Sequence, residues 1–537
     1  MRKLLLSITM LLVAGSMAAQ GPQVRTQAGI VEGLDLSGVK VFKGVPYAMP
    51  PVGELRWRAP QPLQAWEGVR ETKDFGPDPM QLPIFGDMCF RGPTTSEDCL
   101  YLNIWTPAKT MDEKLPVFIY FNGGGLLAGS GSEPRYDGMS YARNGIVALT
   151  VNYREGIFGF LAHPELTAET DYKGSGNYGF MDQAAAIRWV HDNIAAFGGD
   201  PDHITIMGES AGSHSVSVQM ASPLARDCIA QAMGSSGAIL ATPCQTLAEA
   251  EADGVTIVEK AGCKSIAEMR ALSAEELQQR ASLTSMPRGN LDNYVLPKQP
   301  AEIFRSGEQA QIPCLIGNNS AEMPANLLSG YFAPLTLDGV KAGIKTWLKT
   351  DSDEVVSQLL ALYGISNEAD LIALPGYQLG GDNFIVYGTW RWTELQAQHS
   401  PAPVYRYRYS KVRPDLVDQS RVSALAGGTV EKTDDTPQTP PTPGAVHSAD
   451  IEYQMGNLHN NMMYAWTADD YYVSEIFQSF FMNFIKTGNP NGLGLPQWDP
   501  INGEDVPPVM IIDVESGQEK DASLQERYKF LDKYLGL

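Results

Sequence analysis

His203-Ile204-Thr205-Ile206-Met207-Gly208-Glu209-Ser210-Ala211-Gly212 is the stretch whose reading decides the fold of this chain. Residues 204–207 form a short β-branched, apolar run and read as a buried strand. Residues 213–221 read as the start of a helix. Between them stands the one Gly-x-Ser-x-Gly of the sequence, Gly208 to Gly212. A serine on so sharp a strand-to-helix turn is strained, with its hydroxyl thrust out of the sheet. The flanking glycines leave room for the turn and for the close approach of the helix. The pentapeptide alone is a common accident. The strand before it and the helix after it make Ser210 a candidate nucleophile, provided the chain supplies partners for it.

Working outward, the same alternation recurs. Residues 115–121 are a strongly apolar strand ending in Asn122-Gly123-Gly124-Gly125, and 146–152 are another buried strand. Residues 182–197 are an amphipathic helix with Ala186, Ile187, Val190 and Ile194 on one face, and a Gly-Gly-Asp-Pro turn follows. Residues 312–317 and 404–409 are further strands. Strands that are near-continuous apolar runs, alternating with helices, predict an α/β fold: a large, mostly parallel sheet covered on both faces. Beyond Ser210 the chain is richer in helices, at 246–261, 265–282, 338–349, 353–363 and 470–486. Residues 42–51 are proline-rich and read as a packed surface loop, and 436–443 as a stiff extended one. With no internal repeat and no break before residue 420, residues 20–537 are expected to form one domain with helical insertions.

The 537 residues are 43% hydrophobic and 19% charged, the composition of an ordinary globular protein. A net charge of −22 argues against nucleic acid and anionic membrane surfaces as partners. Residues 1–19 read as a secretory signal: Arg2 and Lys3, an apolar run from Leu4 to Val13, then the small-x-small site Ser16-Met17-Ala18. The run is too short to span a bilayer. Export to a periplasm or the extracellular space, with no membrane anchor, is the expectation. Six cysteines in an exported chain invite disulfides, and the pairs Cys89–Cys99 and Cys244–Cys263 are candidates. Cys228 and Cys314 lie in apolar surroundings and read as buried thiols. No Cys-x-x-Cys or His-Glu-x-x-His is present, so neither metal nor cofactor is expected.

A serine hydroxyl needs a base, and the base needs a third group to hold its tautomer. In α/β-hydrolases the order is serine, acid, histidine. Of seven histidines, His399, His447 and His459 follow in that order. His447, on a loop leaving the stiff segment, is favoured by its position. Glu322 falls just after strand 312–317, at the carboxyl edge where parallel sheets carry functional groups. Gly123-Gly124-Gly125, directly after a strand, lets bare amides approach a carbonyl oxygen and hold an oxyanion.

At this point the chain resembles the type-B carboxylesterase and cholinesterase family. Glu97-Asp98-Cys99-Leu100-Tyr101-Leu102-Asn103 is similar to one family signature, and Phe197-Gly198-Gly199-Asp200-Pro201 through Gly212 to the other. Phe42 to Ala48 resembles the N-terminal motif; Thr487-Gly488-Asn489-Pro490-Asn491 with Trp498 resembles the C-terminal one. The resemblance covers roughly residues 24–535 and implies the α/β-hydrolase fold and a serine carboxylesterase acting on small-molecule esters through an acyl-enzyme. It implies Ser210 as nucleophile, Glu322 as acid and His447 as base, with Gly124, Gly125 and Ala211 as oxyanion-hole donors. Glu209, Ser236 and Asp450 match a buried polar network beside the triad, and both cysteine pairs fit the family's disulfide pattern. Departures are Asn122, where a histidine often stands, Leu126 in place of a phenylalanine, and Ser320-Ala321-Glu322-Met323 around the acid. The loop from Cys89 to Cys99 lacks the tryptophan with which cholinesterases stack choline. Alternative readings are a lipase-like esterase on longer acyl chains and a non-catalytic adhesion module. The intact Ser210, Glu322 and His447 speak against adhesion, and no exposed apolar helix suggests a lipase lid.

Overall fold

The computed structural model describes residues 21–330, 334–433, 442–501 and 503–536. The expected signal segment, Tyr331 and Phe332, and most of the stiff loop at 436–443 lie outside them. Among the described residues, eleven strands form the main sheet. In chain order they are β1 (Leu34–Leu36), β2 (Val39–Pro46), β3 (Tyr101–Thr106), β4 (Leu115–Phe121), β5 (Val147–Val151) and β6 (Gly199–Glu209). Then come β7 (Gln231–Ser235), β8 (Cys314–Asn319), β9 (Val404–Tyr409), β10 (Val509–Ile512) and β11 (Gly517–Glu519). The spatial order is β1-β2-β3-β5-β4-β6-β7-β8-β9-β10-β11. From β5 to β10 every neighbour is parallel, and the antiparallel pairs stand at the two edges.

The apolar strands are buried on both faces because successive side chains point to opposite sides. In β4, Val117, Ile119 and Phe121 join one core, while Phe118 and Tyr120 join the other. The first core is covered by α1 (Tyr178–Asn193), α2 (Ala211–Ala221) and α3 (Tyr387–His399). The second is covered by α4 (Ala468–Thr487), whose Phe477, Phe480, Phe481 and Phe484 are fully buried. A third core joins the helical insertion, with helices Leu337–Leu348 and Asp353–Tyr363, to the C-terminal helix α5 (Ala522–Leu535). Trp390 belongs to this core, stacked on Tyr528.

Several local expectations change. The helix read at 182–197 starts a turn earlier, at Tyr178, and tightens into a 3₁₀ turn after Asn193. The helix read at 265–282 is two helices, Ile266–Ala271 and Ala274–Ala281. Ser273 breaks it by capping the second, its hydroxyl accepting from the Glu276 amide. Residues 42–46, read as loop, continue β2; the register slips between Phe42 and Val45, where the Gly44 amide donates to Asn103 Oδ1 instead.

The disulfides are also a correction: all six cysteines are free thiols. Cys99 is fully buried beside Arg154 and Asp182, whereas Cys89 is exposed beside Glu133 and Arg135, so the two sulfurs occupy different neighbourhoods. Cys244 and Cys263 are both buried in the first core, Cys263 under the end of the Leu247–Lys260 helix against the Ala261 carbonyl.

Candidate active site

Parallel neighbours in register bring their carboxyl ends to one edge, and the site is assembled there. Phe121 pairs with Gly208, Glu209 with Ser235, and Ser235 with Gly317. The residues that follow β4, β6, β7 and β8 therefore emerge side by side: Gly123–Gly125, Ser210, Ser236 and Glu322.

Ser210 stands between β6 and α2 with φ 57° and ψ −122°, a backbone that L-residues rarely adopt. The turn closes only because its flanking residues lack side chains. A Cβ on Gly208 would lie 2.2 Å from the Gly212 carbonyl carbon, and one on Gly212 would lie 2.1 Å from the Phe121 oxygen. Ser210 Oγ is 2.9 Å from His447 Nε2, and His447 Nδ1 is 2.7 Å from Glu322 Oε2. Of the three histidines in the right order, His447 is the one that reaches the serine. His399 ends α3 and His459 lies in a surface 3₁₀ turn. The carboxylate is fixed in turn: Glu322 Oε1 accepts from Ser236 Oγ at 2.5 Å and from the Asn319 amide at 2.7 Å. Two backbone bonds, His447 N–H to Glu322 O and Ala321 N–H to Ala445 O, stitch the acid loop to the histidine loop.

Two further carboxylates flank this line. Glu209 Oε1 lies 3.6 Å from His447 Nε2 and accepts from Ser448 Oγ at 2.9 Å. Asp450 accepts from the Asn319 side chain at 3.1 Å. Burial raises Glu209 above the usual carboxylate range, with the His447 imidazole opposing. Burial, then the charges of Glu209 and Glu322, push Asp450 up to about 8. Burial also disfavours the His447 imidazolium, but Glu209, Glu322 and Asp450 together outweigh it and hold the histidine at about 9.

The glycine loop lies against the serine: a Cβ on Gly123 would stand 3.1 Å from Ser210 Cβ. Gly124 and Gly125, both with positive φ, border the same cavity as Ser210 and His447. Ala211 opens α2, where the first amides of a helix have no carbonyl partner within it. The cavity measures about 380 Å³ and is bordered mainly by apolar groups, among them Phe85, Met88, Leu127, Ile239, Trp347 and Phe384.

Some of these residues were not legible as functional. Asn319 and Ser448 adjoin residues that were, and their positions next to Glu322 and His447 are a signal that could have found them. Phe384 is different. Its ring meets His447 edge-on at 4.9 Å, and it rides on a π-turn, Asp382–Val386, with no motif around it.

A mostly parallel sheet that carries a serine elbow, a histidine and an acid along one edge has the α/β-hydrolase architecture, and solved α/β-hydrolases superpose on it. A PNB esterase structure matches with TM-score 0.78 at 29% identity, covering 95% of this chain and 99% of that one. A carboxylesterase of Geobacillus stearothermophilus matches with TM-score 0.78 at 32% identity over the same shares. In sequence, the para-nitrobenzyl esterase of Bacillus subtilis is 32% identical over 531 residues, 94% of this chain and 98% of its own. A fumonisin B1 esterase of Sphingopyxis macrogoltabida is 37% identical over 407 residues, 72% of this chain and 71% of its own. The profile of the carboxylesterase family matches residues 20–531. The chain belongs to that family and is a carboxylic ester hydrolase.

Proposed function

We propose that this hydrolase works through a Ser210–His447–Glu322 triad and a covalent acyl-enzyme. The observation that carries the reading is the unbroken hydrogen-bonded line from Ser210 Oγ through His447 to Glu322. His447 Nε2 takes the Ser210 proton as Oγ bonds to the ester carbonyl carbon. The carbonyl electrons move onto oxygen, and the amides of Gly124, Gly125 and Ala211 donate to that oxyanion. Glu322 holds the ring through Nδ1 and stabilises the imidazolium. As the oxyanion collapses, the C–O bond to the alcohol breaks and His447 protonates the departing oxygen. Water, deprotonated by the same nitrogen, then cleaves the Ser210 ester and regenerates the enzyme.

The cavity's size and apolar border fit uncharged esters of modest size, which favours short acyl chains over a lipase substrate. The test is hydrolysis of p-nitrophenyl esters from acetate to palmitate by wild type and Ser210→Ala. We expect cleavage that peaks at short chains and a loss of roughly 10³–10⁶-fold in kcat for a mutant that folds normally. An active, folded Ser210→Ala protein overturns the mechanism.

Export belongs to the same proposal and rests on the N-terminal charge, apolar run and small-x-small site. N-terminal sequencing of the protein made by its own host is expected to begin near residue 20, past the small-x-small site; an intact Met1 in the cell interior overturns export.

A further inference from the structure

One buried carboxyl beside the proposed site takes no part in the steps above. Glu155 follows β5 in the chain and is 1% exposed. Its Oε1 accepts from Asn122 Nδ2 at 3.1 Å, and Asn122 is the buried residue between β4 and the three glycines. The same Nδ2 faces the Gly123 carbonyl at 3.0 Å and the Tyr153 hydroxyl at 3.4 Å, so three oxygens fix which way this amide points. Tyr153 donates its hydroxyl to the Asn122 carbonyl at 2.8 Å, and the Gly156 amide donates to the Leu126 carbonyl at 2.7 Å. The loop after β5 thus grips the glycine loop on both sides of Gly123–Gly125.

That grip matters because the glycine loop has no slack against the serine turn. A Cβ on Gly212 would lie 2.9 Å from the Asn122 carbonyl oxygen, and one on Gly129 would lie 1.9 Å from Asn122 Nδ2. Whatever holds Asn122 therefore sets where the amides that follow it stand relative to Ser210. Misplacing a group at a reacting centre by about 1 Å can cost on the order of a hundredfold in rate.

A carboxyl this buried must be neutral or find a cation. Among the described residues Glu155 forms no ion pair. It borders a small cavity with Arg56, Glu97, Cys99 and Arg154, but Arg56 is paired with Glu97 and Arg154 with Asp182. Glu155 Oε2 and Asn122 Oδ1 are both buried, and neither meets a donor among the described residues. A proton on the carboxyl supplies a donor within this same pair. Burial pushes Glu155 well above the usual carboxylate range, against the hydrogen bonds from Asn122 and Tyr153, in keeping with that neutral form.

We infer that Glu155 is a positioning residue for ester hydrolysis: as a neutral acid it fixes Asn122, and through Asn122 the glycine loop whose amides receive the oxyanion. This rests on the proposal that those amides and Ser210 act together.

The test uses the mature full-length protein and two inhibitors with one skeleton. With 1,1,1-trifluorohexan-2-one, Ser210 Oγ bonds to the carbonyl carbon, the carbonyl pair moves onto oxygen and His447 keeps the Oγ proton. Its Ki therefore includes the oxyanion contacts. 1,1,1-Trifluorohexan-2-ol has no carbonyl to attack and reports on the cavity alone. Both Ki values are measured against p-nitrophenyl butanoate, and neither depends on the fraction of folded enzyme. Glu155→Leu is expected to lower the preference for the ketone by about tenfold or more. Its kcat/KM is expected to fall by the same factor, while the Ki of the alcohol stays within about twofold. Glu155→Met, unbranched and without an oxygen, is expected to repeat that result. Glu155→Gln, which keeps an acceptor for Asn122 and is as neutral as the protonated acid, is expected to recover most of the loss. A ketone preference unchanged in both apolar variants overturns the inference and leaves the Ser210 mechanism standing. So does a Gln variant as impaired as the Leu variant, since charge and not a neutral hydrogen bond would then be at work. Failure of both apolar variants to fold also overturns it, by making Glu155 a residue of the fold alone. A wild-type enzyme that binds ketone no better than alcohol and cleaves no ester overturns the Ser210 mechanism itself, and this inference with it.

Discussion

Ser210 is held in a conformation that costs free energy, and its neighbours show what sustains it. With Gly208, Gly212 and Gly123 packed backbone to backbone around it, the serine has nowhere to relax. The same crowding lines its hydroxyl up with His447. The histidine in turn is surrounded by three carboxylates, Glu322, Glu209 and Asp450, and all of them favour its charged form. As the proposed base, His447 works only when unprotonated, so activity is expected to fall as pH drops through its pKa. The raised value puts that acid limb of kcat/KM above the imidazole's ordinary ~6.5, toward 9. Because Glu209 and Asp450 titrate in the same pocket, the limb belongs to the cluster and not to one residue. Glu209→Gln removes the strongest of the charges that raise His447. It is expected to move the limb down by about one unit or more, read from a pH–rate profile. A limb unmoved by the substitution would remove Glu209 from the account.

At the scale of elements, the site depends on how the loops beyond each strand are tied down. Arg154, just past β5, donates to Asp182 of α1 through its backbone amide, Nε and Nη2, at 3.0, 2.8 and 2.7 Å. Both side chains are buried. In the stretch that resembles the first family signature, Glu97 forms a two-pronged pair with Arg56, 2.6 Å in each arm, and Arg56 also donates to the carbonyls of Met269 and Leu272. A carboxylate in that motif is thus a clamp between distant loops and not a catalytic group. Removing one partner of a buried pair strands the other charge. Asp182→Ala is therefore expected to destabilise by about 3–5 kcal/mol, measured by chemical denaturation. A loss under about 1 kcal/mol would mean that water reaches Arg154.

At the scale of the whole molecule, the thiols bear on the proposed export. Five of the six cysteines are buried. Burial raises Cys99 well above its ordinary value and Cys244 to about 12, and it raises Cys314 as well. Since thiolate is the reactive form, such groups resist oxidation even in an oxidising compartment. Titration with a thiol reagent in denaturant, without reductant, is expected to count six free thiols. The folded protein is expected to expose one at most, Cys89. A count of two or four would restore the cysteine pairs that the sequence suggested.

The alternation of apolar runs with helices, the glycine-flanked serine after a strand and the order Ser210, Glu322, His447 are local patterns. Each reflects a backbone requirement or a burial pattern that neighbouring residues must satisfy, so the sequence alone determined the fold class and the candidate triad. The sequence left other things undecided, because they depend on what distant segments place beside each residue. The resemblance placed Glu209 and Asp450 beside the triad, but only the tertiary structure showed that they raise His447; it also brought Phe384 from a motif-free turn onto its ring and placed Cys89 and Cys99 in different surroundings. Spacing along the chain carries no information about electrostatic distance across it, and that distance sets the pKa values, the pairing of thiols and the chemistry of the cavity wall.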